Sequence, residues 1–516
     1  MEEAARHYRA GAREEAARCA RDALRLHPND FDALHLLGVL AIDQGKADEA
    51  IDWLLRAIAV RADVAQAHYH MGNALRAAGR ARDAVASYAE ALARQPDHVD
   101  ALNNQGNALR DLGRLDEAAA CYRAALAIRP GHAAARYNLG RVHVLRNDLE
   151  GAIACFRAAL EGDITDTESD RLADIYGELG RVLIALDRIE EAIETCRALQ
   201  ARLPKLPSAI WNESLALLLL GRYREAWPKY ETRFAVPGHD APRAGHHVLD
   251  LSAVAGRRIL LAAEQGRGDI IQFARYAPLL ARRGAEVVVE AYPDLVALLR
   301  TLDGVAEVVE YQAPTPHDLL TSLLSLPLAF GTELDSIPAE VPYLHAPPDR
   351  RAAWRARLGP RTRPRVGVAW WGLQHIPERS IPIAELAPLL RQPGIAFHAL
   401  QKELPDEHRA WLAAEPLLAL HDDALTDFAD TAALMMEMDL IVTIDTSVAH
   451  LAGALGLPVW IMLIRAADWR WLRHRADSAW YPTARLFRRG VEPGWSAVIE
   501  AVIRALPGAL SPSSPV

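Results

Sequence analysis

Small and aromatic residues recur every 34 residues along the first part of the chain. The recurring positions hold Gly38, Gly72, Gly106 and Gly140, then Tyr88, Tyr122 and Phe156, then Pro28, Pro96 and Pro130. Small residues allow two helices to pack closely, an aromatic side chain fills the gap between neighbouring units, and a proline ends the second helix of a unit. The spacing predicts a stack of helix pairs.

A helix pair of 34 residues has the length of a tetratricopeptide repeat, so we predict an α-solenoid over residues 1–240. The first unit is truncated. Full units then begin near residues 31, 65, 99, 133, 173 and 207. An insertion around Ile164–Ser169 shifts the phase, so the next glycine of the series is Gly180. Stacked repeats present a curved surface suited to holding another protein.

The pattern changes after a stretch at 235–250 that is rich in Pro, Gly and His and predicts a linker. Short apolar runs then alternate with helical patterns, which predicts parallel sheets with helical crossovers and ligands at the carboxyl ends of the strands. We expect one α/β half over 250–360, a second over 361–505 and a loose tail over 506–516. The predicted strands are 257–264, 286–291, 305–311, 365–370, 396–401, 439–445, 458–463 and 484–489.

Composition and charge narrow the class of protein. The chain has 516 residues, 51% of them hydrophobic, and a net charge of −9, so no basic excess indicates nucleic acid. No apolar run reaches the roughly 18 residues of a membrane span, and the charged start does not predict a signal peptide. The cysteines form no C-x-x-C pair. We expect a cytoplasmic protein without a transmembrane segment, metal site or cofactor.

The segment DLIVTIDTSVAHLAGALGLPVW at 439–460 carries the clearest candidate site. A predicted strand ends at Asp445, and Thr446 and Ser447 are residue types that begin a helix. The free N–H groups and the dipole of a helix start favour a phosphate or diphosphate. His450 lies one turn further along. The same residues also suit an ordinary capped helix in which His450 only packs, so both interpretations stay open.

This segment closely resembles the C-terminal region of bacterial tetratricopeptide glycosyltransferases, which are related to heptosyltransferases and, more distantly, to O-GlcNAc transferases. The resemblance extends over 263–285, 318–344, 427–439 and 466–489, and the segment 221–234 resembles the last repeat of that family. The family implies a GT-B fold of two Rossmann-like halves, with a nucleotide-sugar donor held mainly by the C-terminal half. It also implies bacterial surface-protein or flagellin glycosylation as the setting.

A glycine-rich loop follows the first predicted strand. Gln265, Gly266 and Gly268 lead into Asp269, and glycines let a backbone turn sharply and approach a ligand. The resemblance to heptosyltransferases assigns Asp269 the role of general base, which takes the proton of the acceptor hydroxyl as it attacks the anomeric carbon. The alternative interpretation is that Asp269 only caps a helix, with Gln272 completing a capping box.

Further candidate donor-binding residues follow strands of the second half. Gln401 and Lys402 match a Gln-Lys pair of the family, and a lysine here can neutralise a diphosphate leaving group or simply be solvated. Arg379 matches a family Arg-Ser pair. Trp370 could stack on a base or sugar or belong to the core. The loop 370–380 is shorter than in the family and lacks its asparagine, which leaves donor identity and activity open.

Asparagines recur on the first helix of the repeats. Asn104, Asn138 and Asn212 share one repeat position once the insertion is counted. That helix lines the concave face, and an amide both donates and accepts hydrogen bonds, so it can hold a peptide backbone. O-GlcNAc transferases use a similar asparagine ladder for protein substrates. Solvated surface, or bonding between helices, is the alternative interpretation.

These observations predict an inverting, metal-independent glycosyltransferase. It would move a sugar from a nucleotide-sugar donor to a Ser or Thr hydroxyl of a protein acceptor held by the solenoid. Two alternatives stay open. One is a non-catalytic adaptor whose transferase-like half only binds a partner or nucleotide sugar. The other is transfer to a lipid-linked or glycan acceptor, with the repeats serving assembly.

Overall fold

The computed structural model describes residues 1–164, 168–236, 245–372, 376–490 and 494–510. The chain divides into two compact units. The first comprises Met1–Glu191 with Ala201–Pro204, and the second comprises Ala192–Gln200 with Lys205–Val516. The division falls inside the last repeat but one, over 173–206, and not near residue 240, where the solenoid is predicted to end. The last repeat therefore belongs to the same unit as the α/β region.

The repeats are built from successive helix pairs. Their helices are α1 Glu2–Arg9, α2 Arg13–Leu26, α3 Phe31–Asp43, α4 Ala47–Val60, α5 Ala65–Ala77, α6 Ala81–Arg94, α7 Val99–Asp111, α8 Leu115–Ile128, α9 Ala133–Leu145, α10 Leu149–Leu160, α11 Ser169–Ala185, α12 Ile189–Arg202, α13 Pro207–Leu219 and α14 Tyr223–Tyr230. A 3-10 turn, Glu231–Ala235, follows.

The predicted repeat boundaries agree with these helices, with one difference at the insertion. Helices begin at residues 31, 65, 99, 133 and 207 as expected, but α11 begins four residues before 173. The extra residues, Ser169–Leu172, add one turn to α11, and Leu172 is fully buried. The middle of the insertion, 165–167, lies outside the described residues.

The glycines of the 34-residue series lie where the two helices of one repeat touch. A Cβ at Gly106 would stand 2.6 Å from the buried ring of Tyr122, and a Cβ at Gly72 would stand 2.5 Å from Tyr88. Contacts this short do not occur between real side chains, so glycine is required there. The aromatic ring thus packs on the glycine of its own repeat, in addition to any role between repeats.

Gly180 occupies the same repeat position without this constraint. A Cβ added to Gly180 would meet no atom within 4 Å. The corresponding aromatic position holds Cys196, which is buried but much smaller. Gly180 therefore has space for a side chain that Gly106 does not have.

The second unit contains two parallel sheets. The first has the order β3-β2-β1-β4 and the second β6-β5-β7-β8-β9. The strands are β1 Arg258–Ala262, β2 Glu286–Ala291, β3 Val305–Glu310, β4 Leu319–Ser322, β5 Arg365–Ala369, β6 Ala396–Ala399, β7 Leu440–Ile444, β8 Val459–Leu463 and β9 Ala484–Arg488. All eight predicted strands form, each within two residues at either end.

Helices connect the strands. They are α15 Arg267–Phe273, α16 Ala277–Ala281, α17 Pro293–Leu299, α18 Leu326–Ala329, α19 Pro348–Leu358, α20 Ile383–Leu390, α21 Asp406–Ala414, α22 Phe428–Met435, α23 Ser447–Ala454 and α24 Ser496–Leu510, with a 3-10 turn at Trp469–Trp471. The predicted tail is therefore helical up to Leu510, with Leu506 buried. Residues 511–516 lie outside the described part of the chain.

Helix α19 lies within the predicted first half but packs against α22, which precedes β7 in the second sheet. Arg351 and Arg355 of α19 donate to the buried carboxylate of Glu437, at 3.1 and 3.0 Å. A buried carboxylate needs such partners because burial without them is costly. The border at residue 360 is thus a border in sequence only, since α19 is held by the second sheet's helices.

We expect Gly106→Ala to lower the free energy of unfolding by about 1–3 kcal/mol, because the new methyl group overpacks the contact with Tyr122. Gly180→Ala is the matched control. It fills open space on a helix and should raise stability by about 0.5–1 kcal/mol. Urea unfolding of the full chain, followed by circular dichroism, measures both values. Equal losses in the two variants would show that the ring contact is not the cause.

Candidate functional site

The glycine-rich loop and the 439–460 segment meet at one place in the second unit. Helix α15 begins after Gly266 and α23 begins after Thr446. A Cβ at Gly268 would lie 2.8 Å from Cδ2 of His450 and 3.5 Å from Cα of Ser447. Only a glycine allows the first turns of the two helices to approach this closely. The two candidate regions of the sequence are therefore parts of one site.

Asp269 lies in the first turn of α15 and not at its cap. Its Oδ2 accepts a hydrogen bond of 2.9 Å from the N–H of Gly266, which holds the N-cap position, and its Oδ1 accepts one from Arg470. Asp269 therefore does help to cap α15, but as the third helical residue of a capping box with Gly266, and not as the N-cap with Gln272 as its partner. Oε1 of Gln272 instead accepts from Nε of Arg470 at 2.6 Å.

The carboxyl group of Asp269 is sheltered and has a raised pKa. Its side chain is 20% exposed, so it is sheltered but accessible. Burial raises the pKa of Asp269, and the guanidinium of Arg470 opposes that rise. A carboxylate with a raised pKa accepts a proton more readily than an exposed one, which is the property a general base needs.

Arg470 is a site residue that the sequence analysis missed. It lies on the 3-10 turn after β8, where Asp468 accepts from its backbone N–H at 3.0 Å and from Nη1 at 2.9 Å. Burial works against ionisation of Asp468, but Arg470 prevails and lowers its pKa. The only signal in the sequence is the run Asp468-Trp469-Arg470-Trp471, an ion pair placed between large aromatic residues.

Several buried polar atoms at the end of β7 lack a hydrogen-bond partner among the described residues. They are Nε of Arg379, Oδ2 of Asp445 and Oγ1 of Thr446. Nη2 of Arg379 stands 3.4 Å from Oδ2 of Asp445. Burial raises the pKa of Asp445, against the effects of Arg379 and the nearby Trp471. Buried polar groups are almost always paired, so this cluster is suited to a polar ligand.

The start of α23 also offers polar groups. Thr446 holds the N-cap position as predicted, but its side chain makes no capping hydrogen bond. Its extended backbone (φ −143°) leads directly into Ser447 and the first turn of the helix. An uncapped helix start presents N–H groups and the positive end of the helix dipole, which together favour an anion.

His450 is a buried, neutral packing residue. Its Nδ1 lies 2.9 Å from the hydroxyl of Tyr481, and its ring stacks on Trp471 with 5.4 Å between centroids. Burial lowers the pKa of His450 to about 3, aided by Arg470. The contacts of the ring and of Nδ1 thus support the packing interpretation. His450 lies on the side of α23 that faces α15.

Two predicted donor-binding residues have structural contacts instead. Trp370 is fully buried in the core of the second sheet, and its Nε1 donates to His408 at 3.2 Å. The prediction that it stacks on a base or sugar is wrong, because no ligand can reach its ring. Gln401 accepts from the backbone N–H groups of Trp370 and Trp371 at 2.8 and 3.1 Å, so it fixes the loop after β5. Lys402 is exposed beside it.

The repeated asparagines differ from one another in their surroundings. Asn104 donates to Oδ1 of Asn73 at 2.9 Å, and Asn138 is buried and donates to Oδ1 of Asn103 at 3.0 Å. These bonds join consecutive repeats. Asn212 is exposed on α13. For Asn104 and Asn138 the structure favours the interhelix interpretation over a free ladder of amides.

The last repeat packs directly on the turn that carries Arg470. The ring of Trp469 makes edge contacts with Tyr223, Trp227 and Tyr230, with centroids 5.6–6.4 Å apart. Nε1 of Trp480 donates to the hydroxyl of Tyr223 at 3.1 Å. Aromatic contacts of this kind add stability beyond their buried area. The last repeat is therefore part of the wall of the site.

A second contact ties the last repeat to the glycine-rich loop. Arg233 is almost fully buried, and its Nε donates to Glu264, the residue before Gln265, at 2.6 Å. Its Nη2 donates to Ser325 at 2.9 Å. Gln265 itself has a left-handed backbone (φ 59°), and its carbonyl accepts from the hydroxyl of Tyr292 at 2.9 Å. The loop is thus held from both sides.

Among the described residues there is neither a metal-binding cluster nor a membrane-spanning helix. No group of three or more His, Cys, Asp or Glu side chains there could hold a metal ion. No helix in the described part of the chain is long and apolar enough to cross a membrane.

Comparison with known proteins identifies the repeats. The tetratricopeptide repeat family matches residues 1–65, 69–133, 105–167 and 173–201. The interruption at 168–172 coincides with the insertion. The crystal structure of MamA is 25% identical, with a TM-score of 0.30 over 31% of this chain and 94% of that one. That of PilW, a type IV pilus biogenesis factor, is 22% identical, with a TM-score of 0.35 over 39% and 91%.

One curated protein is similar over a longer stretch. Protein FlbA of Caulobacter vibrioides is 28% identical over 381 residues, which cover 66% of this chain and 63% of FlbA. The match therefore spans less than two thirds of the length of FlbA. Because the repeats end near residue 235 of 516, a match to 66% of the chain must include part of the α/β region. The chain contains tetratricopeptide repeats followed by an α/β region.

We expect Gly268→Ala to destabilise the second unit by about 1–3 kcal/mol, since its methyl group overpacks the contact with His450. The double variant Gly268→Ala, His450→Ala should be more stable than the sum of the two single losses predicts, because removing the ring relieves the clash. Thermal unfolding of the three variants and the wild type completes the cycle. Strict additivity would contradict the contact between α15 and α23.

Proposed function

We propose that this chain is a glycosyltransferase with a GT-B fold that uses a nucleotide-sugar donor. The observation that supports this most is the convergence of a sheltered carboxylate, Asp269, with unpaired polar atoms of Arg379, Asp445 and Thr446 in one unit. They follow β1, β5 and β7, and the carboxyl ends of strands are where parallel sheets bind ligands. The resemblance to tetratricopeptide glycosyltransferases supports the same function.

The donor's diphosphate binds at the start of α23. Arg379 supplies its unpaired Nε, Thr446 its unpaired hydroxyl, and the first turn of α23 its N–H groups. Lys402, exposed after β6, adds a second positive charge. The carboxyl group of Asp445 accepts hydrogen bonds from sugar hydroxyls. Cations and helix starts stabilise the negative charge that develops on a leaving diphosphate.

The transfer is a single displacement with inversion. Asp269 takes the proton of the acceptor hydroxyl while that oxygen forms a bond to the anomeric carbon. The bond between the anomeric carbon and the donor phosphate breaks, its electron pair stays on the phosphate oxygen, and the nucleotide leaves. Asp269 is left protonated and returns the proton to solvent.

The acceptor is a protein whose Ser or Thr hydroxyl enters the cleft, and the repeats hold it. Repeat arrays serve as binding surfaces for other proteins, which supports a protein acceptor over a lipid or glycan. Asn104 and Asn138 are engaged between helices, so the proposed grip on the acceptor depends on other side chains of the groove. Asn212 is the exposed member of the series.

We expect Arg379→Gln to weaken donor binding by roughly 10–100-fold. A hydrogen bond to a charged group contributes about 1.5–3 kcal/mol, and about 1.4 kcal/mol corresponds to a tenfold change. Isothermal titration with ADP-, UDP-, GDP- and dTDP-sugars measures this. Arg391→Gln is the control, because Arg391 pairs with Glu415 at 2.6 Å on the surface. Equal binding by both variants would move the donor site elsewhere.

We expect Asp269→Asn to reduce transfer about 10²–10⁴-fold while donor affinity is kept, since a general base contributes a factor of that size. Release of nucleoside diphosphate and the intact mass of co-expressed candidate acceptor proteins are the measurements. Asp423→Asn, at an exposed ion pair with Arg357, is the control. Donor binding without turnover in the wild type would favour a non-catalytic adaptor. Sugar found only on lipid or glycan would exclude a protein acceptor.

A further inference from the structure

We propose that Arg470 is the positioning residue of the general base. Its guanidinium fixes one oxygen of Asp269 and holds the carboxylate in its ionised form, ready to accept a proton. This role rests on the proposed function. Neither the resemblance nor the comparisons assign a role to Arg470, and the proposal comes from the contacts of its side chain.

The side chain of Arg470 has a single fixed position. It is 8% exposed and donates to Asp269, to Gln272 at 2.6 Å and to Asp468 at 2.9 Å. Its guanidinium lies 4.3 Å from the ring centroid of Trp469. A planar guanidinium that bonds three acceptors and stacks on an aromatic ring has little freedom to turn.

Asp468 holds the guanidinium of Arg470 in the position from which it contacts Asp269. Because Asp468 accepts from both the backbone and Nη1 of Arg470, the turn and the side chain form one rigid piece. The aromatic contacts of Trp469 with the last repeat hold that turn in place. Arg470 then extends from the turn after β8 to α15, the helix after β1. It links the second sheet to the first beside Asp269.

Few other charges act on Asp269. From the same turn Asp468 faces it, and its negative charge favours the protonated form of Asp269. From α14 Tyr230 faces it, with a pKa that burial raises to about 12, so it is neutral. From α23 the neutral His450 packs on α15. Arg470 is therefore the positive charge that opposes the effect of burial on Asp269.

Burial raises the pKa of Asp269 and Arg470 opposes it, so removing the guanidinium raises that pKa further. The base is active only when ionised, so the acid limb of the pH–rate profile moves to higher pH. An opposite charge in contact lowers a carboxyl pKa by about 1–3 units, which sets the expected shift.

The test compares Arg470→Gln and Arg470→Lys in the full chain. Release of nucleoside diphosphate from the best ADP-, UDP-, GDP- or dTDP-sugar is followed from pH 5 to pH 9. We expect the acid limb of Arg470→Gln to lie about 1–3 pH units above that of the wild type. Arg470→Lys keeps the charge but loses the fork, so its limb should stay near that of the wild type while kcat falls.

Arg475→Gln is the matched control, because Arg475 lies in the same loop but pairs with Asp477 at 2.7 Å. Its profile should follow the wild type. If Arg470→Gln fails to fold by circular dichroism, Asp468→Asn releases the guanidinium from its anchor. It should reduce kcat and move the acid limb to lower pH and not to higher pH, because the charge of Arg470 remains and the negative charge of Asp468 is lost.

The outcomes separate the two proposals. A wild type that turns over no donor at any pH overturns the proposed function, and with it the role of Arg470. A wild type that is active, with an Arg470→Gln variant that is slower by the same factor at every pH, overturns only the role of Arg470. In that case Arg470 merely stabilises the fold, because a structural loss does not move a titration.

Discussion

The contact between Gly268 and His450 is the constraint on which the site depends. Without a side chain at position 268, the first turn of α15 can lie against the first turn of α23. That approach brings the loop after β1 and the segment after β7 together, although about 180 residues separate them in sequence. Asp269 then contacts Arg470, whose charge also acts on the buried Asp445.

Burial and two arginines together determine the pKa values of the carboxyl groups in this region. Asp269, Asp445 and Asp468 are three carboxyl groups beside Arg379 and Arg470. Burial raises the pKa of Asp269 and Asp445, whereas Asp468 has its pKa lowered by Arg470. The carboxyl groups therefore divide into one, Asp468, that stays ionised beside Arg470 and two, Asp269 and Asp445, that bind a proton more readily than an exposed aspartate does. Such divergence within one cluster is typical of functional sites.

Much of the fold could be predicted because its signals are local. The 34-residue period gives the helix pairs, and the apolar runs give eight strands. β4 was missed because LLTS lies in a longer apolar run that shows no strand boundary. The site was predicted only in part. Glycines and helix starts have sequence signatures, but the pairing of Arg470 with Asp269 joins residues 201 apart and has none. Trp370 was misassigned because burial, not residue type, decides whether a ring can stack.

The last repeat differs from the others because it packs on the α/β region. In three of the repeats an aromatic ring packs on a glycine of its own helix pair, a contact that ends within the repeat array. In the last repeat Tyr223, Trp227 and Tyr230 pack on Trp469, the neighbour of Arg470 in the chain. Arg233 also holds the residue before the glycine-rich loop. Because the last repeat packs on the candidate site, it does more than offer a surface for another protein. The last repeat therefore helps to hold the turn from which Arg470 contacts Asp269.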